Sequence, residues 1–170
     1  MAMELTTQRK FKVDWRRVPE EVDLSRHVEI EQHYWTLGPS WTLRYRITKD
    51  QAGDSKETMT VKGRFEGGVQ RQFAIELPDA VDEEAREARR LLRASAEQAR
   101  VLKTRYFFNA DDMSWRLDQF KDENEGLCIL EVEGSDVGSV KMPGWCEREV
   151  TAERRYSNES LAIRPMSRWP

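Results

Sequence analysis

The heptapeptide WTLRYRI, residues 41–47, decides the fold class. Counted with a period of two, it places Thr42, Arg44 and Arg46 on one side and four apolar or aromatic side chains on the other. Successive side chains of a β-strand point to opposite faces, so this pattern predicts a strand with one polar and one apolar face. The polar face carries two fixed cations, and the same feature returns in other parts of the chain.

Further runs that alternate in this way, or are rich in β-forming residues, predict an antiparallel sheet. The predicted strands lie at about residues 4–14, 27–36, 40–48, 57–65, 69–77, 101–109, 113–120 and 127–133. Gly67 and Gly68 between two of them are a hairpin signal. One long helix is predicted after Pro78, with Asp79 as its N-cap and a narrow apolar stripe. The segment NESLAIRP, residues 158–165, predicts a short helical turn. Many short strands in one unit favour a mainly-β (α+β) barrel or sandwich.

Composition limits the partners that the protein can have. The 170 residues fit one domain, residues 1–170. The net charge is −3, so no overall basic bias indicates a nucleic acid, and any anion site has to be local. Two cysteines are too few for a disulfide scaffold, and no apolar run is long enough for a leader or a membrane span. We therefore expect a cytoplasmic protein without a membrane partner.

The polar faces of the predicted strands repeatedly carry lysine or arginine. An open sheet with a wet charged face explains this pattern, because antiparallel sheets commonly face water on one side. In a closed sheet the charges line an interior, where lone cations are very costly unless they are hydrated, paired or covered by a polyanion. Phosphate groups suit such a lining, since both guanidinium and ammonium groups donate to anionic oxygens.

An ordered set of motifs between about residues 6 and 162 carries a family resemblance. The motifs are RKF, TLRYR, TVKGRFEGGVQRQ, VLKTRYFF, LDQF, ILEVEG and EREVTAERRYSNESLA. Together they resemble the CYTH superfamily, the triphosphate tunnel metalloenzymes. The resemblance implies a closed eight-stranded antiparallel β-barrel tunnel, with one long helix between strands and short flanking helices. Members cleave inorganic triphosphate, thiamine triphosphate or RNA 5′-triphosphates, or cyclise ATP, with Mg²⁺ or Mn²⁺ held by glutamates.

The resemblance also implies roles for individual residues. It assigns Lys10 and Arg155 to catalysis, and it assigns five strand residues to triphosphate binding: Arg44, Arg46, Lys62, Lys103 and Arg105. It leaves three carboxylates as metal ligands: Asp118, Glu131 and Glu133.

The carboxylate half of the family pattern is incomplete in this chain. The first-strand signature E-x-E-x-K is represented by Thr6, Gln8 and Lys10, so both glutamates are replaced. Glu4 points to the same face of the predicted strand as Thr6, but it lies one pleat, two residues, before the first position of the signature. Arg116 takes a position that relatives give to an acid. Since Mg²⁺ is bound through oxygen ligands, this loss leaves one ion or none, and two are disfavoured.

Three functions remain open on this basis. The first is a diverged triphosphate phosphohydrolase that uses one residual metal ion. The second is a non-catalytic module that binds a triphosphate, a nucleotide, a polyphosphate or another small anion. Adenylyl cyclase is disfavoured, because no pocket for a base is evident. The sequence names neither the ligand nor the oligomeric state.

Overall fold

The computed structural model describes residues 7–66, 69–96 and 99–170, with the backbone alone at residues 64–66, 69 and 70. This part of the chain forms nine strands, two α-helices and five short 3-10 helices. The strands and α-helices are β1 (Gln8–Val13), β2 (His27–Gly38), β3 (Trp41–Lys49), β4 (Ser55–Glu66), β5 (Val69–Glu76), α1 (Glu83–Ser95), β6 (Arg100–Ala110), β7 (Met113–Phe120), β8 (Cys128–Glu133), β9 (Cys146–Glu149) and α2 (Asn158–Ile163). Glu4, Thr6, Gly67 and Gly68 lie outside the described residues.

All nine strands form one antiparallel sheet in the order β5-β4-β3-β2-β6-β7-β8-β1-β9. This confirms the mainly-β antiparallel class. The closed eight-stranded barrel is not found, because no ladder joins the two ends of the sheet among the described residues. The ninth strand explains the difference: β9 pairs with the outer edge of β1, the edge that closure would need. Sequence analysis missed β9 because it has only four residues, CERE, and no apolar alternation.

The apolar residues of the strands form two clusters, which lie on opposite faces of the sheet. One surrounds Phe11, Trp115 and Leu130 and is covered by the loops that carry Trp15 and Trp145. The other lies on the charged face, at the end that the C-terminal segment covers, because Val101, Phe120 and Ile129 share the parity of the charged residues on their strands; α2 buries its Leu161 and Ala162 there. Its members are Tyr34, Val101, Phe120, Leu127, Ile129, Val150, Tyr156, Leu161 and Ala162. Because the strand residues of the first cluster point outward, the charged side chains that alternate with them point to the inner face of the sheet.

The turn between β3 and β4 sets the register of the two strands that carry the opening motif and Lys62. Asp50 Oδ1 accepts from the backbone N–H groups of Ala52 and Asp54, each at 2.9 Å. Gly53 has a φ of +92°, which an L side chain rarely adopts. The resulting ladder places Thr42 opposite Lys62 and Arg44 opposite Thr60.

The helices differ from prediction in their details. α1 begins one turn later than predicted: Asp82, not Asp79, is the N-cap and accepts from the backbone N–H of Ala85 at 2.7 Å. None of its residues is buried, so the predicted apolar stripe does not enter a core. α2 confirms the predicted helical turn and is capped by Ser157, which accepts from the backbone N–H of Ser160. Neither helix has the length and apolar character needed to cross a membrane.

Candidate functional site

A cavity of about 400 Å³ lies on the charged face of the sheet. Every strand from β1 to β8 contributes to it, together with the start of α2. Its cations are Lys10, Arg44, Arg46, Lys62, Arg105 and Arg116, its acids are Glu131, Glu133 and Glu159, and its neutral polar side chains are Gln8, Tyr34, Gln72, Ser157 and Asn158. The predicted convergence of strand cations on one interior is therefore found.

One side of the cavity, which we call the cationic wall, consists of Arg44, Arg46 and Lys62 on β3 and β4. The neighbouring positions across these ladders are all neutral. Arg44 lies between Tyr34 and Thr60, Arg46 lies between Gln32 and Thr58, and Lys62 lies between Thr42 and Gln72. None of the three cations forms an ion pair with a carboxylate in the described part of the chain.

The contacts that the cationic wall does make are with neutral groups. Arg44 Nη2 donates to Thr60 Oγ1 at 3.2 Å, while its buried Nε has no partner among the described residues. The Gln32 amide oxygen, in the orientation that satisfies its neighbours, accepts from Arg46 Nη2 at 2.6 Å and from Arg46 Nε at 2.7 Å. The three positive charges are thus oriented and only partly solvated, but not neutralised.

Burial and mutual repulsion lower the pKa values of cations in this wall. Burial first, and then Arg44, Arg46 and Lys10, lower the pKa of Lys62 to about 8. Burial, followed by Arg44 and Arg105, lowers the pKa of Arg46 to about 10. Desolvation and like charges both disfavour the charged form, so a bound anion would relieve the repulsion among these side chains.

The opposite side of the cavity, the ion-paired wall, presents Lys10, Arg105, Arg116, Glu131 and Glu133, and it includes Lys103 and Asp118, which are buried behind them. Its centre is Asp118, which has no exposed side-chain surface. Asp118 Oδ1 accepts from Arg105 Nε at 2.7 Å, and Oδ2 accepts from Lys103 Nζ at 2.6 Å and Arg105 Nη2 at 2.8 Å. Burial alone would raise the pKa of Asp118, but Lys103 and Arg105 hold it well below its usual range.

Glu131 and Glu133 are also paired. Glu131 Oε1 lies 3.6 Å from Lys10 Nζ, and its Oε2 lies 3.5 Å from Arg105 Nη2 and 3.4 Å from Arg116 Nη2. Glu133 Oε1 lies 2.7 Å from Arg116 Nη2. Burial and the charge of Asp118 act to raise the pKa of Glu131, but Lys10 and Arg105 outweigh them and lower it.

The three carboxylates predicted to hold a metal ion do not form a metal site in this arrangement. Both oxygens of Asp118 and both oxygens of Glu131 lie against cationic groups. In the described part of the chain, no group of three or more histidine, cysteine, aspartate or glutamate side chains is placed to hold a metal ion. Because Mg²⁺ requires oxygen ligands in a near-octahedral arrangement, the donors present do not fit it without breaking these pairs.

The structure separates some predicted site residues from the cavity. Lys103 points inward but lies beneath the cavity surface, where its Nζ donates to Asp118 and to Asn158 Oδ1. Arg155 lies outside the cavity: it pairs with Glu153 at 3.1 Å and stacks on Tyr156 and Trp169.

Other cavity residues were missed by sequence analysis. Tyr34 shares the inward parity of β2, which the alternation could have shown. Burial raises the pKa of its hydroxyl to about 12, so Tyr34 stays neutral. Asn158 and Glu159 come from EREVTAERRYSNESLA, the last of the motifs that carry the family resemblance. Glu159 Oε1 accepts from Thr42 Oγ1 at 2.9 Å, so an acid borders the cationic wall without pairing to it.

Comparisons with known proteins show the family, although no protein-family model matches the chain. An inorganic triphosphatase from Acetivibrio thermocellus is 34% identical over 143 residues, which cover 84% of this chain and 85% of that protein. An inorganic triphosphatase from Nitrosomonas europaea is 31% identical over 141 residues, covering 80% and 85%. The chain belongs to the CYTH superfamily. The resemblance drawn from the motifs is therefore confirmed.

Solved structures support the same assignment of this CYTH chain. The crystal structure of the inorganic triphosphatase NE1496 matches with a TM-score of 0.66 and 29% identity, over 96% of this chain and 97% of that one. The PH1819 protein from Pyrococcus horikoshii matches with a TM-score of 0.53 and 19% identity, over 81% and 79%. At that identity the second match shows a common fold alone.

Proposed function

We propose that the CYTH chain binds inorganic triphosphate, or the triphosphate end of another small anion, in the cavity between the two walls. The observation that carries the proposal is the cationic wall: three half-buried cations point into one cavity and lack carboxylate partners among the described residues. The name of the two relatives, inorganic triphosphatase, supports the ligand class. A chain of phosphates presents several anionic oxygens, and guanidinium groups bind such oxygens in pairs.

The two walls then have different tasks in this proposal. The cationic wall takes the phosphates, because its charges are not already neutralised. Lys10 and Arg105, which border both the cavity and the carboxylates, contribute their remaining donors to the same anion. Lys103 acts indirectly, since it supports Asp118 and thereby the position of Arg105.

Tripolyphosphate is expected to stabilise the protein in the presence of a chelator. Ligand at about 100 times its dissociation constant adds roughly 2.7 kcal/mol to the free energy of unfolding. For a chain of this size that gives a rise of about 5–10 °C in Tm. The measurement is a thermal melt in EDTA with tripolyphosphate, and sodium chloride at matched ionic strength is the control. An unchanged Tm, with and without Mg²⁺, would rule out this cavity as a triphosphate site.

Binding is also expected to weaken as the pH rises through the pKa of Lys62. The folded-state pKa of about 8 means that the ammonium is charged at pH 7 and mostly neutral at pH 9. If the bound anion keeps Lys62 protonated, the affinity falls about tenfold between these values. Arg at position 62 stays charged throughout, so Lys62→Arg is the matched control. The charge of tripolyphosphate itself also changes with pH, but this change is the same for the unmodified protein and for Lys62→Arg. The prediction is wrong if calorimetry gives the same dependence of affinity on pH for the unmodified protein and for Lys62→Arg.

Hydrolysis of triphosphate is the second candidate, and the name of the relatives favours it. The geometry favours binding without turnover, or at most slow turnover with one Mg²⁺ or Mn²⁺ ion, because the candidate metal ligands Asp118, Glu131 and Glu133 are ion-paired. Measuring phosphate release from tripolyphosphate in the presence of Mg²⁺ or Mn²⁺ distinguishes hydrolysis from binding without turnover. Fast release that is lost in Glu133→Gln would identify an enzyme, and cyclic AMP formed from ATP would identify a cyclase.

A further inference from the structure

The acidic pair Glu131 and Glu133 on β8 is bridged by a cation of the chain itself. Arg116 Nη2 lies 2.7 Å from Glu133 Oε1 and 3.4 Å from Glu131 Oε2. The sheet register builds this bridge, because Arg116 stands directly opposite Glu131 in the β7–β8 ladder. Glu133 is two residues further along the same face of the strand. Strand pairing therefore holds Arg116 beside both carboxylates.

Further cations surround the inner member of this pair. Glu131 is only 7% exposed, and Lys10 and Arg105 lie within 3.6 Å and 3.5 Å of its two oxygens. With Arg116, three fixed positive groups face one carboxylate. A divalent ion that approached Glu131 would have to displace or tolerate all three, and at these separations like charges repel strongly in a partly desolvated site.

We propose that Arg116 is the resident cation of the Glu131–Glu133 pair, and that the cavity accepts an oligophosphate free of divalent metal in preference to its metal complex. This rests on the proposed function. A divalent ion lowers the negative charge of the oligophosphate, and hence its attraction to the cationic wall. Among the described residues, the cavity offers that ion no pair of carboxylates without cationic partners in compensation. Arg116 thereby determines which ionic form of the ligand is bound.

The role of Arg116 is tested by Mn²⁺ binding to the protein without phosphate. The amount of free Mn²⁺ is measured by electron paramagnetic resonance for the unmodified protein and for Arg116→Gln. Removing one positive charge beside the acidic pair is expected to raise Mn²⁺ affinity about tenfold. Arg100→Gln is the control. Arg100 lies away from the cavity, and its Nη2 is 2.7 Å from Asp122 Oδ2, so its loss also leaves an acid without its cation. This variant should behave as the unmodified protein does.

The preference for metal-free ligand is tested by calorimetry of tripolyphosphate in EDTA and in excess Mn²⁺. We expect weaker binding in Mn²⁺ for the unmodified protein and for Arg116→Lys, which keeps the charge. Tighter binding in Mn²⁺, or Mn²⁺ affinity in the unmodified protein equal to that of Arg116→Gln, would overturn the inference. If Arg116→Gln does not fold, the measurements on the unmodified protein and Arg116→Lys still decide. Absence of tripolyphosphate binding under both conditions would instead remove the proposed function, while the Mn²⁺ measurement would still judge Arg116.

Discussion

Reversing Arg44 and Arg46 together to glutamate is expected to weaken tripolyphosphate binding by about a thousandfold or more. Each charge-assisted hydrogen bond contributes roughly 1.5–3 kcal/mol, so two lost contacts correspond to about a hundredfold to ten-thousandfold in affinity. The introduced carboxylates would also repel the anion. The measurement is calorimetry at fixed ionic strength, since screening changes the contribution of exposed charges.

The double reversal should leave the fold intact. Arg44 and Arg46 lie in a region where positive charges already repel one another and Lys62 has a lowered pKa, so replacing two of them by acids relieves that repulsion. Arg86→Glu with Arg90→Glu on α1 is the matched control, because it changes the net charge equally at exposed positions. Retained affinity in the double reversal, with the control unaffected, would place the anion outside this cavity.

Asp118→Asn is expected to cause the largest loss of stability among single changes in the cavity. The substitution keeps the size of the side chain but leaves Lys103 and Arg105 without their shared carboxylate, and Lys103 has no exposed surface. Breaking a buried ion pair by removing one partner typically costs about 3–5 kcal/mol. A thermal melt should show a fall in Tm of about 6–20 °C for a chain of this length.

Glu133→Gln is the control for that loss. It also removes one carboxylate from an arginine, but the Glu133 side chain is 40% exposed and the pair contributes about 0–1 kcal/mol. A D118N protein that melts within a degree or two of the unmodified one would show that water reaches Lys103 and Arg105, and that the ion-paired wall is not a buried structural element.

Much of the site could be predicted because strand alternation is a local property. The pattern of WTLRYRI and its counterparts placed Arg44, Arg46 and Lys62 on one face, and the structure confirms that this face lines a cavity. Tyr34 was missed although the same rule applies to β2. β9 was missed because four polar residues leave no pattern, and its place is decided by pairing with β1.

By itself the sequence determined eight of the nine strands, the shared face of their cations and the superfamily, since each depends on the order and spacing of residues along the chain. The tertiary structure alone decided which charges are neutralised. Register sets Arg105 opposite Asp118 and Lys10 opposite Glu131, whereas Arg44, Arg46 and Lys62 face threonine, tyrosine and amide side chains. A carboxylate that the chain pattern offers as a metal ligand becomes an ion-pair partner when a guanidinium stands across the ladder. The distance between the carboxylate and the guanidinium is set by the pairing of strands that are far apart in sequence, so no local pattern contains it.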